Sequence, residues 1–222
     1  MNLTSDLITG FWFWVAQISY FVLLATAIWS APWSTLFNNR QLQHLFLGTT
    51  AGLVVLWQMR AGITPGLGIH FLGVTVLTLM FGWNLAILSA SMALLGTTLI
   101  GQESWHGFAI NGLCTIVIPV LISYLILRLV EAKLPANFFI YLFLCAFLGA
   151  AAATLAGGLS MSFLLWIDNV YSGEKIYREY IQILPLIAFP EGLLNGIIMT
   201  GMMVFYPDWI RTFDAKKYID DQ

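Results

Sequence analysis

Charge is what this chain has least of. Its 222 residues carry nine basic and eleven acidic side chains, 9% of the total, where a soluble domain carries about 25%. So few ionised groups cannot cover a water-soluble surface. With 59% hydrophobic residues, the class is an integral membrane protein. There is no basic block to meet phosphates, so nucleic acid is excluded as a partner. Cysteine is nearly missing too. Cys114 and Cys145 stand alone in apolar runs, which rules out a disulfide framework and a zinc motif. No Lys or Arg precedes Arg40. The positive start of a cleavable signal is therefore lacking, and Met1 is read as the start of the mature chain. Nothing matches the phosphate-binding GxxxxGK(S/T) pattern, so no ATP site is expected here.

What is present is a series of long apolar runs. A helix needs roughly 20 apolar residues to span a bilayer. Seven segments fit, at about 9–30, 42–59, 66–81, 84–101, 107–130, 137–166 and 186–206. Residues 61–102 contain no Asp, Glu, Lys or Arg. That run is too long for one helix, and Gly82 beside Trp83 is its natural break. The sixth segment is long, and Gly157 and Gly158 are candidates to bend it. The expected fold is all-α, about seven transmembrane helices in one compact bundle over residues 1–222, with 207–222 as a cytoplasmic tail. Basic residues set the orientation. Arg40, Arg128, Lys133, Arg211, Lys216 and Lys217 fall on one side, and Arg60, Lys175 and Arg178 on the other. The richer side is cytoplasmic, which predicts N-out and C-in. Small residues at Gly149, Ala153 and Gly157 let helices approach closely, inside the chain or against a partner.

This topology collects polar groups at the outer face: His70, His106, Asn111 and Glu191, together with the chain start. Each has a plain reading. Glu191 follows Pro190, and proline at a first helical position with an acid beside it is a helix start. Against that, ionisable groups at membrane depth usually mark function. Asn195, four residues on, shares the helix face of Glu191. His70 alone reads as a packing histidine, but Pro65, Gly66 and Gly68 precede it. Irregular backbone of that kind at membrane depth lines a cavity or is buried in protein. His106, beside Glu103 and Trp105, reads as a solvated loop residue.

Three stretches carry a family resemblance. GLGIHFLG (66–73) with the FGW break that follows, AINGL (109–113) and PEGLLNG (190–196) occur in the order and spacing of CbiM/NikM-type proteins. These are the substrate-binding membrane components of energy-coupling-factor cobalt and nickel transporters. The resemblance covers about Gln41 to Pro207. It implies a component with no enzymatic activity of its own, in a prokaryotic inner membrane, whose substrate is a divalent transition metal. A transmembrane T component and ATPase subunits would supply the power, and a small accessory membrane subunit fits the same scheme. The implied metal ligands are the Met1 amine, the backbone and side chain of residue 2, and His70. Glu191, Asn111, Asn195 and His106 then fall around the pocket. The chain departs from the pattern at Asn2, where the family carries His. It departs again at Leu184, where many members carry His, and at Cys114, where a second Asn is expected. The departure at Asn2 supports a second reading, a non-transporting scaffold or assembly factor on the same fold. A third, an intramembrane hydrolase using Glu191 and His70, has against it that only one acid lies within a span.

Overall fold

The computed structural model describes residues 2–3, 6–64, 67–214 and 218. Helix α1 (Phe11–Ser30) buries only Phe13, Ala16, Tyr20 and Ala27. That is one stripe at helical spacing. Its other aromatics are exposed, Trp14 and Trp29 among them, which is what a lipid-facing helix presents. A short α2 (Trp33–Asn38) follows. Asn39 then caps α3 (Arg40–Leu56), its side chain accepting from the Leu42 N–H at 3.0 Å.

After α3 the chain leaves the helical regime. Strands β2 (Arg60–Thr64) and β3 (Leu67–His70) form an antiparallel hairpin, and β1 (Asn2–Leu3) adds to the other edge of β3. Only then does α4 (Val74–Phe81) begin, with all eight residues buried. Of the expected 66–81 segment, therefore, only the second half is helical. Gly73 (φ 67) and Gly82 (φ 85) bound α4. Both angles lie in the left-handed region that other residues avoid. Helix α5 (Trp83–Leu99) starts directly after Gly82.

Helices α6 (Phe108–Lys133) and α7 (Phe138–Ile167) are long and apolar enough to cross a membrane. Each contains a π-helical stretch, Gly112–Val117 and Tyr141–Leu148. The irregularity in α7 sits there and not at Gly157 and Gly158, which lie in regular helix. Gly157 serves close approach instead: a Cβ on it would meet the Cys114 carbonyl oxygen at 2.6 Å. The small-residue stripe thus packs α7 on α6 inside the chain. Within the Asp168–Leu184 loop, α8 (Gly173–Glu179) is the one α-helix.

Helix α9 (Leu184–Phe205) corrects one expectation. It begins six residues before Pro190, which lies inside it. Glu191 is not at the start of its own helix and does not cap it. Proline is tolerated there because neighbouring groups satisfy freed backbone in a membrane bundle.

Three hydroxyl pairs stitch helices together: Tyr20 with Ser91 (2.9 Å, α1–α5), Thr50 with Ser89 (2.7 Å, α3–α5) and Thr75 with Ser123 (2.7 Å, α4–α6). Between apolar helices in lipid such bonds are each worth about 0.6 kcal/mol. At the end away from the sheet, the chain after α9 folds back on α4. The Arg211 N–H donates to Met80 O, Arg211 Nη1 to Phe81 O, and Thr212 Oγ1 to Leu79 O.

Candidate metal site

The site is built on the hairpin. Strand alternation puts Gly68 and His70 on one face of β3. Asn2 pairs with Gly68 on one side, and Arg60 pairs with His70 on the other. The side chains of Asn2, His70 and Arg60 therefore share a face.

A buried carboxylate ties this face together. Glu103 is 5% exposed. Its Oε1 accepts from Asn2 Nδ2 at 2.5 Å and pairs with Arg60 Nη1 at 3.1 Å. Its Oε2 accepts from Asn111 Nδ2 at 2.9 Å. Burial pushes Glu103 up from the ordinary carboxylate range, opposed by the Asn2 hydrogen bond and the Arg60 charge. The solvated loop suggested by GQESWH does not exist at Glu103. Arg60 is held in turn by donating to the Trp57 and Gln102 carbonyls. Asn111 also treats Leu3 as a strand would, accepting from its N–H at 2.7 Å and donating to its carbonyl at 2.9 Å. That fixes the β1 segment in the bundle.

His70 is buried and its Nδ1 lies 2.9 Å from the Phe71 carbonyl. A carbonyl can only accept, so Nδ1 carries the proton, and the neutral ring leaves the Nε2 lone pair open. Nε2 has no hydrogen-bond partner among the described residues. His70 is 5% exposed. Trp57 packs against it with ring centroids 5.1 Å apart and donates Nε1–H to Leu72 O.

Glu191 works behind this turn. Its two carboxylate oxygens accept from Leu72 N (2.8 Å) and Gly73 N (2.7 Å). Asn195 donates to Glu191 Oε1 at 2.8 Å and accepts from Val76 N at 3.0 Å. The pair caps α4 from another helix, taking over N–H groups that no residue of α4 can satisfy.

The structure thus joins Asn2 and Asn111 through Glu103, sets His70 on the neighbouring strand bonded to Phe71 and packed on Trp57, and places Glu191 and Asn195 behind the turn. His106 stands apart: Nε2 is bonded to Ile8 O, and its ring stacks on Phe13 at 4.0 Å. Met1 lies outside the described residues. Sequence reasoning missed Arg60 and Glu103, although they are the two charges that bound the charge-free run 61–102. Among the described residues no three His, Cys, Asp or Glu side chains converge on a metal position. A cavity of about 540 Å³ opens beside the site, walled by His70, Arg60, Phe71, Ile187 and Pro190 among others.

Comparison with known proteins decides the family. The family described as "Cobalt uptake substrate-specific transmembrane region" (CbiM) matches residues 2–209. The chain belongs to the CbiM family. Two solved structures share its fold. A "transition metal transporter" superposes with a TM-score of 0.76 at 16% identity, over 92% of this chain and 93% of the other. A "truncated transition metal transporter" superposes at 0.77, also 16% identical, over 92% and 99%. No curated protein matches by sequence. Membership makes this CbiM chain a membrane component of metal uptake, a transporter part with a transition metal as its substrate.

Proposed function

We propose that this CbiM chain captures a cobalt- or nickel-class ion at the outer face of a prokaryotic plasma membrane, as the substrate-binding component of an energy-coupling-factor transporter. Seven passes place the sheet outside and the C-terminus in the cytoplasm. A T component and ATPases supply the power, since the sequence has no phosphate-binding loop. The ligands are His70 Nε2 and groups of the amino-terminal segment, with Asn2 foremost. Glu191 and Asn195 shape the pocket without touching the ion. One observation carries this reading: a buried neutral imidazole with an open Nε2, held from both sides, beside a cavity.

The test is cobalt and nickel binding by the purified protein and its His70→Ala variant. The variant is expected to lose at least about tenfold in affinity while keeping its helical circular dichroism. Unchanged affinity would sink the ligand role. Asn2 in place of the family's His, with no His, Cys, Asp or Glu triad converging among the described residues, favours a second reading, a partner-holding scaffold on the same fold. That reading predicts no bound ion in either protein.

A further inference from the structure

Ser162 is 4% exposed, yet its Oγ has no hydrogen-bond partner among the described residues. A serine inside a helix can bond a carbonyl one turn back, as Ser160 Oγ does to Ala156 O at 2.7 Å. Ser162 instead lines a cavity of about 270 Å³ between α7 and α8. Leu159, Phe163 and Trp166 line it from the same face of α7, and Gly173 and Ile176 from α8. Leu159, Phe163 and Trp166 are each about half exposed, so the cavity lies on the lipid-facing side of α7. It lies at the sheet end of the bundle, where Asp168, just after α7, accepts from the Thr9 N–H at 3.3 Å.

Two donors meet in this apolar wall. The Trp166 Nε1 lies 3.5 Å from where a Cβ on Gly173 would sit, and it has no acceptor among the described residues. Water does not suit the space. Each molecule takes a share of about 30 Å³ and needs two to four polar partners, so two donors hold one molecule and leave the rest empty.

We propose that this cavity binds one phospholipid of the adjacent leaflet, an acyl chain lying between α7 and α8 and an ester carbonyl bonded to Ser162 Oγ. The carbonyl only accepts, which matches an unpaired donor, and the chain matches the apolar wall. Depth agrees. Ser162 lies five residues before the end of α7 at Ile167, about 7.5 Å along the axis. The headgroup layer is about 5–7 Å thick on each side, so Ser162 reaches the level where esters meet hydrocarbon. Trp166 stands one turn nearer the surface, where tryptophan is enriched. The lipid fills the wedge under α8 and holds that surface helix on the bundle.

The experiment strips the purified full chain of lipid in detergent. It then adds dioleoyl phosphatidylcholine or the dialkyl ether analogue, which lacks the carbonyls, and counts bound lipid by native mass spectrometry. The unaltered chain should hold one ester lipid about three- to tenfold more tightly than the ether lipid, the worth of one hydrogen bond. Ser162→Ala keeps the cavity and loses the donor, so the two lipids should bind it equally. The ester-to-ether ratio is taken within one preparation, so partial misfolding does not mimic its loss. Ser162→Phe fills the cavity and should release both lipids while keeping its helical circular dichroism. Equal affinity of the two lipids for the unaltered chain, an ester preference that survives in Ser162→Ala, or a tightly held lipid in folded Ser162→Phe would overturn the proposal.

Discussion

The two ends of α4 are closed by opposite chemistry. At the sheet end the Glu191 carboxylate takes the Leu72 and Gly73 N–H groups. At the other end Arg211 and Thr212 donate to the Leu79, Met80 and Phe81 carbonyls. Both arrangements match the helix dipole, an anion at the start and a cation at the finish. They differ in what replaces them when lost. Glu191 is 1% exposed, whereas Arg211 lies at the surface. At the Arg211 end the Arg211 N–H to Met80 O and the Thr212 hydroxyl to Leu79 O survive loss of the arginine side chain, whereas at the Glu191 end one side chain holds both N–H groups, so similar bond counts carry different costs.

Breaking the sheet end should have the largest effect. Glu191→Ala leaves two buried N–H groups without acceptors, each costing about 1–3 kcal/mol. SDS-driven unfolding should show a loss of several-fold RT, and cobalt affinity should fall because the His70–Gly73 turn loosens. Glu191→Gln sharpens the point. It keeps the shape but turns one acceptor into a donor, so its loss should lie between those of Ala and the unaltered chain. At the far end, Arg211→Ala should cost about 1 kcal/mol or less in the same assay and leave cobalt affinity unchanged. A matching drop in affinity there would refute the contrast. Smallest of all, Thr75→Val breaks one interhelical hydroxyl pair and should cost about 0.6 kcal/mol.

The sequence made parts of this readable. Apolar runs located α1, α5, α6, α7 and α9, and the i,i+4 spacing marked Glu191 and Asn195 as a pair. Their targets were not readable, because Leu72 and Gly73 lie 119 and 118 residues away. Pro190 misled for a physical reason: proline favours a first helical turn in water, but a packed bundle accepts it inside a helix. Glu103 was hidden because a polar loop motif reads as solvated. Its pairing with Arg60, across a run with no other charge, and its bonds from Asn2 and Asn111 account for its burial. The sheet was legible as non-helical backbone at Gly68 (Pro65 and Gly66 lie outside the described residues), but not as strands, since a short glycine-rich stretch has no period to read.

The π-helical stretch of α6 begins one residue after Asn111, and the Thr115 hydroxyl occupies the Asn111 carbonyl at 2.6 Å. A π-turn holds one residue more than an α-turn can. The wider turn absorbs that residue, so Asn111 keeps facing Leu3 and Glu103 while Ser123, beyond the stretch, keeps facing Thr75. Wound as regular α-helix at its full length, the stretch would turn its two halves by about 100° against each other, and Asn111 would swing off its partners. In this helix the wide turn itself is the inherited constraint, since it sets the rotation between the half that holds the site and the half that holds α4.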